Sequence, residues 1–145
     1  MNVYTYSFEN VAVTVAHPNY GRFSAYGTGI GDVTVQYTDD NTTHTVGADL
    51  AVVVSKSAKK NGLIIFNVLQ TSDFNSYLRG LTTYLKTADV TEWAKTTIGI
   101  MNKQGGDSFW CTGCSPQKIA DTKYGATAET KAWTMMCASI DTYSA

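Results

Sequence analysis

Proline is nearly absent: Pro18 and Pro116 are the only two in 145 residues. That excludes proline-rich linkers, and with no internal repeat or low-complexity tract the chain reads as one domain, long enough to bury its own core. Charge is scarce too. Charged residues make up 16% of the chain, against roughly 25% in an average soluble domain, while 43% are hydrophobic. So little polar surface is a first hint of an oligomer. Eleven basic and twelve acidic residues leave a net charge of −1, so there is no basic excess to neutralise phosphates, and tight non-specific DNA binding is disfavoured. No apolar run approaches the roughly 18 residues of a membrane helix, and Met1-Asn2-Val3-Tyr4-Thr5-Tyr6 lacks the basic-then-apolar order of a signal peptide, so neither is expected.

Cysteine is sparse and odd in number: Cys111, Cys114 and Cys137. A disulfide framework is not expected, and reduced thiols are the default. Cys111-Thr112-Gly113-Cys114 has CxxC spacing, but structural zinc needs four soft ligands, and His17 and His44 are distant in sequence. A thioredoxin-like pair opens a helix, whereas this one follows Phe109-Trp110 in a strand-like run. The sequence therefore places these thiols as small apolar groups near a strand end, with no metal and no cofactor.

Catalytic signals are missing as well. His17 and His44 lie in turn-rich sequence with no partner motif for a nucleophile, and no enzyme is expected. Gly27-Thr28-Gly29-Ile30-Gly31 has GxGxG spacing, with no strand expected before it and no helix after it, so it reads as a turn or bulge rather than a dinucleotide loop. Asp39-Asp40-Asn41 lacks the alternating acidic ligands and closing glutamate of a calcium loop. The aromatics, Trp93, Trp110 and Trp133 among them, read first as core and interface anchors. A monomeric carbohydrate-binding β-sandwich with Trp93, Trp110 or Tyr26 on an open face is the alternative from a different class.

What is present is β periodicity. Val11, Val13 and Val15 alternate with Ala12, Thr14 and Ala16 up to His17-Pro18-Asn19. Val33, Val35 and Tyr37 alternate with Thr34, Gln36 and Thr38, giving an inward apolar face and a hydroxyl and amide face suited to water. Leu63-Ile64-Ile65-Phe66 is apolar on both faces, so something must cover each side. Residues 55–62, with three lysines and Asn61-Gly62, mark a loop or hairpin tip. One helix is expected over about 72–86: Thr71 or Ser72 caps it, Asp73 complements its dipole, and Phe74, Leu78, Leu81 and Leu85 share a face. Gly80 inside it implies a close neighbour or fraying. Further strands are expected over 96–101, 108–114 and 131–140, with a Gly105-Gly106-Asp107 turn. The fold class is mainly β (α+β): a small barrel or sandwich with one flanking helix.

Three stretches carry a resemblance spanning nearly the whole chain: Tyr6-Ser7-Phe8-Glu9-Asn10-Val11, Thr45-Val46-Gly47-Ala48-Asp49-Leu50, and Gly62 through Ser72 running into Asn75 and Leu78, with Trp133-Thr134 in the final strand. They resemble the tail tube proteins of contractile-tailed bacteriophages. Thr122 to Lys131 reads as a variable hairpin beside that pattern, and the CTGC motif is not part of it. The resemblance implies six copies closing a ring around a continuous inner β-barrel, with rings stacking into a hollow conduit for DNA inside a contractile sheath. It implies an arm over about 39–62 reaching a neighbour, with Val46, Leu50 and Val52 as anchors and Lys56, Lys59 and Lys60 on the rim. Thr34, Gln36 and Thr38 become lumen candidates. The implied partners are further copies of the chain, sheath, tape-measure, baseplate and tail-terminator proteins, with DNA in transient passage. The implied location is the virion, after assembly in the host cytoplasm. The tube of a related contractile injection or secretion system is the close variant.

Overall fold

The computed structural model describes residues 3, 11–25, 30–102, 107–127 and 129–144. Among them nine strands form in chain order: β1 (Val11–His17), β2 (Gly21–Ala25), β3 (Ile30–Tyr37), β4 (Thr42–Val46), β5 (Val52–Lys56), β6 (Gly62–Leu69), β7 (Thr96–Asn102), β8 (Asp107–Pro116) and β9 (Thr130–Ser144). One helix, α1 (Asp73–Thr87), follows β6, and a single 3-10 turn spans Val90–Glu92. Seven strands make one antiparallel sheet in the order β2-β1-β7-β8-β9-β6-β3, and β4-β5 form a separate ribbon.

The sheet is rolled into a half-barrel. Its two edges, β2 and β3, are consecutive in the chain, and the five peptide steps from Ala25 to Ile30 span at most about 18 Å. Helix α1 packs against the core side of the sheet. Its Phe74 ring contacts Phe23 on β2 and Phe66 on β6, both at 5.2 Å between centroids. Phe74, Leu78, Leu81 and Leu85 are buried at helical spacing. They meet Val11, Val13 and Val15 of β1, Ile64, Phe66 and Val68 of β6, Ile98 and Ile100 of β7, and Trp133 and Met135 of β9 in one core cluster.

The helix start is locked to the last strand. Ser72 caps α1 by accepting the Asn75 N–H at 3.2 Å and donates to Leu69 O at 2.7 Å. The buried Asn75 side chain donates to Gln70 O and accepts the Trp133 Nε1–H, each at 2.9 Å. Thr71-Ser72, Asn75 and Trp133, quoted above as separate pieces of a resemblance, are thus neighbours at one junction. Further along, Gly80 lies under the Tyr20 hydroxyl, where any Cβ would collide, so this helix glycine marks a close contact. Tyr77 donates to Gly21 O at 2.8 Å, and burial followed by the nearby Tyr20 pushes its phenol up to about 12.

Several sequence expectations change. A strand, β2, does precede the glycine-rich stretch; β3 begins at Ile30, no helix follows, and Gly27 to Gly29 lie outside the described residues. So do Tyr26, Tyr6 to Asn10, Gly105 and Gly106. The 55–62 loop is shorter than expected because Ser55 and Lys56 close the β5 ladder opposite Thr43 and Thr42. Among the described residues of 122–131 no hairpin forms. Residues 117–127 have no regular ladder, and pairing resumes with Thr130 opposite Leu69. Tyr37 is not packed inward: it is exposed at the end of β3 and its hydroxyl donates to Ile140 O at 3.1 Å.

Candidate assembly surface

The CTGC motif lies in the second half of β8, Cys114 two residues from the strand's end, and its spacing breaks the two-residue period of a strand. Cys111 and Cys114 are both buried, three positions apart, and so are Cys137 and Ile140 on the facing strand. Cys111 pairs with Ile140 and Cys114 with Cys137, so both strands shift phase together at Gly113 and Ala138. Gly113 supplies the left-handed backbone, with φ of +64°, and a Cβ there would meet Ala138 Cβ at 2.8 Å. The shift keeps apolar groups on the core side past the irregularity.

Beyond the core, the outer face of β3, β6 and β9 carries rows of paired side chains. Gln36 sits opposite Leu63, which sits opposite Met136; Thr34 opposite Ile65, opposite Thr134; Asp32 opposite Asn67, opposite Ala132. Asn67 Nδ2 donates to Asp32 at 2.5 Å. Asp32 is the one charged residue in these rows, and no lysine or arginine stands among them. Thr34 and Gln36 are exposed here, while Val33 and Val35 pack against the core. Thr38 is exposed just past the strand, its N–H donating to Asn61 O at 3.1 Å. Farther round, Ala12, Thr14, Ala16, Gly99, Met101, Trp110 and Tyr143 line a shallow groove of about 370 Å³.

The ribbon β4-β5 projects from the β3–β6 connection, and all ten of its strand residues are exposed. Pairing puts His44 opposite Val54 and Val46 opposite Val52, so three valines share one side. At the tip, Ala51 N–H donates to Asp49 Oδ1, Gly47 N–H donates to Ala51 O, and Leu50 takes a left-handed φ of 65°. Leu50 is 82% exposed and Val54 63%. Fully burying four such side chains is worth about 6 to 12 kcal/mol, comparable to the cost of fixing one chain against another. Val53 and Val54 were not singled out from sequence, although the run Val52-Val53-Val54 was the available signal. Lys56 ends the ribbon and Lys59 follows it, both exposed. Lys60 pairs with Asp141 at 2.9 Å, and that hydrogen bond and charge raise its ammonium value above the ordinary one.

The two histidines divide. His44 is exposed on the ribbon; His17 is buried, Nδ1 accepting the Asn19 N–H at 3.2 Å and Nε2 donating to Glu92 O at 3.0 Å. With both ring nitrogens engaged by backbone, His17 closes a turn. Of the tryptophans, Trp133 is in the core, Trp93 packs against it and Trp110 stands 45% exposed in the outer groove, so they form no common platform. Among the described residues no cluster suits a metal ion, and no helix is long and apolar enough to cross a membrane.

The family model of the bacteriophage PhiTE tail tube protein matches residues 3–144. The chain belongs to this tail tube family. The fold of the tube protein also matches solved structures at low identity. One is the extended sheath-tube complex of the PVC extracellular contractile injection system: 10% identity, 98% of this chain and 93% of that chain covered, TM-score 0.60. Another is the tube-terminating cap of the anti-feeding prophage: 9% identity, 100% and 95% covered, TM-score 0.61. A third is the anti-feeding prophage baseplate: 9% identity, 99% and 97% covered, TM-score 0.55. No curated protein sequence matches the tube protein.

Proposed function

We propose that the tube protein closes hexameric rings that stack into a hollow conduit, with β4-β5 as the arm that each copy lends to its neighbour. The fully exposed ribbon carries this reading, because three valines on one side and Leu50 at the tip are left without cover in a single copy. Val46, Leu50 and Val52 are the anchors, joined by Val54; Lys56, Lys59 and Lys60 form the polar rim. Thr34, Gln36 and Thr38 face the lumen. The outer-face rows of β3, β6 and β9 hold no lysine or arginine to retain DNA, Arg22 lying farther round in the groove, and each phosphate contact avoided weakens binding steeply. The role is structural, with no catalytic step. Sheath, tape-measure, baseplate and terminator proteins are its partners in a phage tail, where it serves genome ejection after assembly in the host cytoplasm. The kinship with injection-system tubes in fold favours a second reading, in which the same conduit passes protein cargo.

Negative-stain microscopy with a light-scattering mass tests the proposal. Six-fold rings or hollow tubes are expected from the unaltered chain; a monomer persisting at high concentration with assembly factors present overturns it.

A further inference from the structure

The tube reading leaves the three thiols unused. Cys111, Cys114 and Cys137 are all buried, and Sγ of Cys114 lies 3.1 Å from Sγ of Cys137. These two are direct cross-strand partners at the phase shift of β8 and β9, whereas Cys111 faces Ile140 and reaches Cys137 only on the diagonal. Direct opposition brings the two side chains to within a small backbone adjustment of disulfide geometry, and the sulfurs need approach by only about 1 Å to reach bonding length.

We propose that Cys114 and Cys137 form a disulfide when the folded chain meets a peroxide oxidant, with Cys111 left as a thiol. Peroxide converts the Cys137 sulfur to a sulfenic acid, releasing water; the Cys114 sulfur then displaces the sulfenic oxygen as a second water. Two thiols and one hydrogen peroxide thus give one disulfide and two waters. Cys137 feels opposing influences: hydrogen bonding with Cys111 lowers it, while hydrogen bonding with Cys114 and burial raise it to about 12. Cys111 is raised as well, by its hydrogen bond to Cys137 and then by burial. Neutral, buried thiols react slowly, so bond formation follows local opening of the strand pair over hours. The bond closes a loop around residues 117–127, the longest described stretch without helix or strand, and holds the two strands together across it. A reducing cytoplasm keeps the pair open, and a particle outside a cell meets the oxidant.

The test treats the full-length, folded protein with millimolar hydrogen peroxide, then denatures it in a maleimide and counts adducts by intact mass. One adduct is expected after oxidation and three without it, with peptide fragmentation placing the bond between Cys114 and Cys137 and the adduct on Cys111. Cys111→Ala should retain the bond, and Cys114→Ala should abolish it. Fragmentation of the unaltered chain decides the pairing even if a variant does not fold. Three adducts after prolonged oxidation, a bond through Cys111, or a sulfinic acid in place of the bond overturns the proposal. Ring formation does not enter this readout, so its outcome is separate from that of the tube reading.

Discussion

At the scale of single residues, Asn75 shows how a polar side chain earns a buried place. It satisfies the Trp133 indole N–H and the Gln70 carbonyl in one stroke while its own N–H completes the helix cap. Asn75→Ala leaves that indole donor unpaired, and a loss of about 1 to 3 kcal/mol is expected from urea unfolding. Leu78→Ala, one turn on, removes packing alone and should cost about 2 to 5 kcal/mol without that unpaired donor. Glu92 gives a pH signature. The hydrogen bond from Asn19 first, and then that from Lys95, hold its carboxyl below the ordinary glutamate value. A carboxyl lowered on folding stabilises fully above its unfolded value and loses that contribution as pH falls through the folded one. Glu92→Gln should therefore narrow the gap in stability between neutral and acid pH, as read by thermal melts across that range. Ser72 was legible in sequence as one of two capping candidates because capping follows short-range rules, whereas Asn75 entered only through the family resemblance. The His17 bond to Glu92 was not legible, since Glu92 lies seventy-five positions away.

At the scale of elements, helix α1 was readable to within a residue or two, because its apolar spacing, cap and dipole complement all agree. β1 and β3 were equally plain from alternation. β8 was expected over 108–114 and runs on through Ser115 and Pro116, and only the pairing with β9 shows both strands slipping phase together at cysteines three apart. Sequence periodicity describes one strand at a time, so a shift shared by two is invisible to it. Gly113→Ala combines a left-handed backbone with a collision against Ala138, and a loss of roughly 2 to 4 kcal/mol is expected in denaturant titration. The β4-β5 ribbon was seen as an apolar stretch, yet its sidedness depends on a register that no local pattern dictates.

At the scale of the whole molecule, low charge and two-faced apolar strands pointed to cover supplied from outside, and the bare ribbon is where that demand concentrates. Leu50→Asp should block tube assembly while leaving the monomer folded, because Leu50 touches no core residue; long tubes from this variant would remove the assignment of the arm. Thr34→Lys tests the lumen differently. In the proposed six-fold ring, repetition of that added charge should make assembled tubes retain DNA at low salt and release it as salt rises, measured by co-sedimentation.

Strand order also sets a timetable. β9 lies in the middle of the sheet between β8 and β6, joining the group β2-β1-β7-β8 to the pair β6-β3. A ribosome must therefore translate past residue 130 before a strand ladder joins the two groups, since Gly62 waits for Cys137 and Cys111 for Ile140; until then helix α1 alone bridges them, through Phe74 against Phe23 and Phe66. On the proposed reading, a growing chain displays the arm before its body is finished, and tube assembly waits for the keystone strand.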